Sequence, residues 1–177
     1  MTAGSWWQEK LRDELSQGDL LEGIPFVLAP MPVRYVKKQS VRTYGDGWFE
    51  SLTPFKDKGG RTVLMAVGAV TTGIVLSHDC ESDKQEFSKT LVLARVEPIT
   101  TAPPEHRQAI IDQLSIPRMF LPGVPRLGDC YVNFRSVGTV DREVIKATKR
   151  IASMGDEARK LLEARIVKFF VRRVLGD

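Results

Sequence analysis

Four consecutive residues, His78, Asp79, Cys80 and Glu81, can each ionise, bind metal or make strong hydrogen bonds. They end the aliphatic run Gly73-Ile74-Val75-Leu76, which reads as a buried strand whose polar tip reaches the rim of a sheet. The sequence has two histidines, the other being His106, and two cysteines, the other being Cys130. In extended backbone His78 and Cys80 share one face, and Asp79 and Glu81 share the opposite one. Three chemistries fit. His78 and Cys80 are half of a zinc site that Cys130 or Asp129 would complete, although paired Cys-x-x-Cys spacing is absent. Cys80 is a nucleophile if His78 or His106 lowers its thiol pKa. Asp79 and Glu81 are a carboxylate pair for acid–base work or Mg²⁺. A turn-capping Asp79 and a small buried Cys80 account for the same residues without any chemistry. The reading carried forward expects no metal and no cofactor.

A second constellation mixes cations with aromatic rings: Arg34, Tyr35, Lys37, Lys38, Arg42, Tyr44 and Trp48. Lysine and arginine neutralise phosphates while rings stack on bases, so this segment suits single-stranded nucleic acid. An edge hairpin protected by charge gives the same composition. The net charge is 26 minus 22, or +4, and residues 141–177 alone hold ten Lys/Arg against six Asp/Glu. The excess therefore sits on the C-terminal segment, where a solvated helix face explains it as readily as a polyanion partner.

The elements that must position these groups follow from periodicity. At 177 residues a single domain is expected. Ser5 and Gln8 form a capping box for a helix over about 6–15, with Trp7, Leu11 and Leu15 on one face. Strands are expected in 20–28, on either side of a turn in 33–49, in 61–76, in 90–96 and in 130–140. Pro103-Pro104 opens a helix to about Leu114, and the Pro/Gly-rich 117–128 reads as loop. Ser153 and Asp156 cap a last amphipathic helix running to about Val174, with Ala158, Leu161, Leu162, Ile166, Phe169, Phe170 and Val174 as its apolar stripe. The expected class is α+β, mainly β: a small antiparallel barrel (18–145, with insertions 33–60 and 103–125) between an N-terminal helix (1–17) and a C-terminal helix (146–177). No apolar run reaches membrane-spanning length and no signal-peptide pattern opens the sequence, so no membrane partner and a reduced, cytoplasmic setting are expected.

Four stretches together resemble the PemK/MazF-like growth-inhibitor family. Gly18-Asp19-Leu20-Leu21 is similar to its opening strand, Gly73–Asp79 to its central strand, Leu91–Thr100 with Pro98-Ile99-Thr100 to the next, and Gly128–Val144 to its closing strand and helix. The resemblance implies an SH3-like barrel, a homodimer in a toxin–antitoxin setting with an antitoxin as protein partner, and endoribonuclease activity on RNA. Thr100 matches the family's Ser/Thr after Pro-Ile. Gly73 stands where the family carries an arginine–proline pair. If RNA is cleaved, the candidate catalytic set is Thr100, His78 and Asp79, with Arg61 as the cation. Two other readings stand beside it: a non-catalytic protein-interaction module of phage, plasmid-maintenance or defence origin, and a metal- or thiol-dependent hydrolase centred on His78–Glu81.

Overall fold

The computed structural model describes residues 6–28, 34–35, 64–65, 67–78 and 89–171. Its strands are β1 (Asp19–Leu28), β2 (Arg34–Tyr35), β3 (Leu64–Met65), β4 (Val67–Val75), β5 (Thr90–Pro98), β6 (Arg118–Val124), β7 (Gly128–Asp141) and β8 (Lys149–Ser153). Its helices are α1 (Pro104–Ile111), α2 (Arg142–Lys146) and α3 (Asp156–Phe170), with a 3-10 turn over Ile99–Thr101. The chain divides into two compact units, Met1–Ile24 with Val70–Asp177, and Pro25–Ala69. In the smaller unit β2 and β3 pair antiparallel, Arg34 opposite Met65 and Tyr35 opposite Leu64. The rest of the basic-aromatic segment, Lys37, Lys38, Arg42, Tyr44 and Trp48, lies outside the described residues.

The larger unit is built on a six-stranded antiparallel sheet in the order β6-β7-β5-β4-β1-β8. Among the described residues this sheet does not close; β6 and β8 are its edges. Both edges nevertheless contribute to one core. Met119 and Leu121 from β6, Ala94 and Val96 from β5, Leu20 from β1 and Ala152 from β8 are buried in a single cluster with Ala158 and Leu162 of α3. Phe134 and Phe169 extend it, their ring centroids 5.7 Å apart. A bulge makes this curl possible: Ala94 faces Val137, whereas the next residue, Arg95, faces Asn133. The extra β7 residues between them bend the strand and raise its local twist.

Residues 6–17 are not the expected helix; the backbone is extended and turned. Trp6 is buried in the core, while Trp7 forms a bridge with Met154 and its indole Nε1 donates to the Pro122 carbonyl at 2.8 Å. Gln8 N–H donates to the Ser153 carbonyl. The ladder contacts of Trp7 and Gln8 with Met154 and Ser153 need extended backbone, and that pairing overrides the helical spacing of Leu11 and Leu15. Leu11 is exposed. The segment thus joins the β8 end of the sheet to β6, and the Arg126–Glu22 ion pair at 3.4 Å links the β6–β7 turn to β1.

Three further expectations are corrected. Residues 118–124 form an edge strand rather than loop; an edge position tolerates Pro122, whose missing N–H has no ladder partner to satisfy. Residues 149–153 are strand, so the final helix starts at Asp156. Its N-cap is Gly155 rather than Ser153, whose hydroxyl instead accepts from the Arg12 N–H at 3.4 Å. In α3 Ala158 and Leu162 are buried as expected, but Phe170 is exposed, and Val174 lies outside the described residues.

Asp19 and Arg150 fix the turn into β1. Asp19 is buried; its Oδ2 accepts from the Ser16 N–H at 2.9 Å and from Arg150 at 3.0 Å. The same guanidinium donates to the carbonyls of Arg12 and Glu14. Gly18 completes the turn at φ +86°, and a Cβ there would stand 3.1 Å from the Met154 Cβ. Replacing Arg150 leaves a buried carboxylate without its cation. Arg150→Met is expected to lower the unfolding free energy by about 3 kcal/mol, read from urea midpoints. Asp19→Asn in the same background should recover part of that loss, and a loss under about 0.5 kcal/mol would refute the role.

Candidate functional site

The register places one polar grid on the face of β6, β7 and β5 that points away from the core. Arg118, Asn133 and Arg95 lie side by side, followed by Gly73 on β4; in the adjoining row lie Phe120, Tyr131 and Glu97. This alternation is what strands with one buried face produce. Glu97 is the centre of the grid. It accepts from the Tyr131 hydroxyl at 2.7 Å and from Asn133 Nδ2 at 3.2 Å, and Arg95 stands 3.6 Å away. Burial and the Glu97 carboxylate push the Tyr131 phenol above its ordinary pKa. The Arg118 guanidinium lies 5.8 Å from the Tyr131 ring centroid, a cation–π contact.

The 3-10 turn and α1 cover part of this face. Ala102 and Ile110 are buried against Tyr131, with Ile99 and Phe120 packed beside them. Pro104 in the first turn suits the start of α1, as expected from the sequence. Arg107 then ties the helix back to the turn, donating to the carbonyls of Ala102 at 2.9 Å and Thr100 at 2.6 Å. The expected helical insertion therefore roofs the grid.

Where the roof ends, a pocket of about 300 Å³ opens between His106, Ala109, Ser115, Pro117, Arg118 and Arg135. Its ionisable lining is two arginines and a histidine, with no carboxylate. Among the described residues none of these three side chains is held in an ion pair, and Arg118 Nε is buried with no hydrogen-bond partner. Two adjacent guanidinium groups without a counter-charge form a receptor for a doubly ionised or bridging anion such as a phosphate.

Thr100 and His78, expected to act together, lie apart. Thr100 is exposed in the 3-10 turn just beyond the C-terminal end of β5. His78 is exposed beyond β4, where Leu76 and Ser77 pair with Val92 near the start of β5. Most of β5 separates them, roughly 20 Å at 3.3 Å per residue, too far to act on one bond. Arg61, Asp79, Cys80 and Glu81 lie outside the described residues, and Arg34 and Tyr35 belong to the smaller unit. The described residues hold no cluster of three or more His, Cys, Asp or Glu.

No protein-family model matches this sequence, and no curated protein does.

Arg118 and Arg135 escaped the sequence reading, and His106 entered it only as a possible activator of Cys80, because the three lie on separate elements. Arg118 also falls within the Pro/Gly-rich stretch read as loop. Strand pairing alone brings Arg118 beside Asn133, and no local spacing announces it.

Cys130 is buried in the core, and burial together with the neighbouring Asp129 carboxylate pushes its thiol from 9.0 up to about 11. It is therefore a protonated thiol at neutral pH, and it pairs with Pro98 at the far end of β5 from Val92, beside which His78 lies. A folded-state pKa above the unfolded one gives stability that is complete below pH 9 and is lost as pH rises toward 11. The unfolding free energy should fall across that window by on the order of 2 kcal/mol. Cys130→Ala should remove that component of the slope; identical slopes in both proteins would refute it.

Proposed function

We propose that this protein binds RNA, and that it is a divergent PemK/MazF-like protein with an SH3-like barrel. The carrying observation is the pocket between α1, β6 and β7, where His106, Arg118 and Arg135 converge with no carboxylate in the lining. The overall charge of +4 supports a polyanionic partner. The shared core of both sheet edges, clasped by Trp7, supports the barrel. RNA cleavage through 2′-hydroxyl attack needs a proton acceptor, a proton donor and cations around the phosphorus. His106 can take the 2′-hydroxyl proton and, as imidazolium, return it to the leaving 5′-oxygen, while the two permanently charged arginines stabilise the phosphate; this makes the pocket a better cleavage site than the separated pair Thr100 and His78.

Fluorescence anisotropy with a labelled single-stranded RNA tests the reading. Affinity should fall steeply with salt, and Arg135→Ala and Arg118→Ala should each lower the slope of log K against log salt by about 0.7. Arg135, exposed on β7, is the cleaner variant because it supports no packing. A flat salt dependence, or a slope unchanged in both variants, overturns it.

One observation favours a second reading as a protein-interaction module that self-associates. Val167, Phe170 and Val171 are all exposed on the last turn of α3 and its cap, next to the half-buried Phe169. A homodimer burying this patch should dissociate at least about tenfold more readily in Phe170→Glu, measured by sedimentation equilibrium. A monomer at all concentrations removes this reading.

A further inference from the structure

A second cavity, larger than the arginine pocket and separate from its lining residues, lies in the same unit. It is about 620 Å³, within the range of small-molecule sites, and is bounded by the N-terminal segment, β1, the start of β5 and α2. Leu15 is half-buried at its wall, and Leu21, Leu91 and Ile145 pack behind it as an apolar floor. The wall carrying Leu15 is held rigid by Arg150, which donates to the carbonyls of residues 12–14.

The charges around this floor are mostly spent. Lys146 pairs with Glu143 at 2.8 Å, and Arg150 pairs with Asp19. The Asp141 carboxylate caps α2 through the Glu143 N–H at 2.8 Å, and Arg142 also has a partner. Two groups are left without one among the described residues. They are the ammonium of Lys89, beside α2, and the carboxylate of Asp13, on the N-terminal segment. One unpaired cation and one unpaired anion on different walls of an apolar cleft make a receptor of defined polarity.

We propose that this cleft binds a small apolar zwitterion, a hydrophobic amino acid or dipeptide. Its carboxylate faces Lys89, its ammonium faces Asp13, and its side chains lie over Leu15, Leu21, Leu91 and Ile145. An apolar anion would leave Asp13 facing the ligand unpaired, and an apolar amine would leave Lys89 so. The zwitterion satisfies both, which is why it is preferred. The site is independent of RNA binding, since none of its lining residues lines the arginine pocket.

The test uses leucyl-phenylalanine, its N-acetyl derivative and its C-terminal amide, titrated into the full chain by calorimetry and by amide chemical shifts. The dipeptide should bind at millimolar concentration or better, and each blocked derivative about 5-fold more weakly. Lys89→Ala should bind the dipeptide and its amide equally. Asp13→Ala should bind the dipeptide and its N-acetyl form equally. Both residues are exposed, so the variants should keep the wild-type melting temperature. Absence of binding, blocked derivatives that bind as well as the parent, or discrimination that survives both substitutions would overturn the proposal.

Discussion

The buried ion pair between Asp19 and Arg150 is the constraint on which the larger unit depends. A carboxylate only 1% exposed in its side chain costs several kcal/mol in desolvation unless a cation and hydrogen-bond donors meet it. Arg150 meets it from β8, and the same planar guanidinium gathers the carbonyls of the N-terminal segment. One side chain therefore joins β1, β8 and residues 12–14. Arginine rather than lysine suits the position, because several acceptors arranged in a plane need a fork of donors. The tryptophan clasp and the cleft wall both belong to the segment that this contact holds.

The two faces of the sheet divide the work. The inner face is apolar and packs on α3. The outer face of β6, β7 and β5 holds a polar network around Glu97, with arginines at its margin whose Nε atoms, on Arg95 and Arg118, are buried without a hydrogen-bond partner. Because Glu97 is engaged by Tyr131, Asn133 and Arg95, it leaves Arg118 without a carboxylate. The arginine pocket is thus a by-product of how completely Glu97 is used.

Much of this architecture was legible in the sequence where periodicity was strong. The aliphatic runs 90–96 and 130–140 are strands, the proline pair does open α1, and Ala158 with Leu162 does bury α3. The mainly β character follows from the same signals. The failures share a cause. The helical spacing of Trp7, Leu11 and Leu15 was a coincidence, overridden by partners more than a hundred residues away. Prolines read as loop punctuation at 117–125 were compatible with a strand because that strand is an edge. The Ser153–Asp156 spacing imitated a capping box where a strand was needed to complete β1. As for function, the run at 78–81 stands out by residue type, and Asp79, Cys80 and Glu81 lie outside the described residues. The arginine pocket and the cleft with Lys89 and Asp13 are products of tertiary geometry and have no signature along the chain.

The clasp also has a consequence in time. Trp7 is separated by 115 residues from its acceptor at Pro122 and by still more from its bridge partner Met154. During synthesis from the ribosome these partners emerge long after the tryptophans. Trp6 and Trp7 must then wait in solvent-exposed, sticky form until β6 and β8 exist. Closure is therefore a late, high-contact-order event.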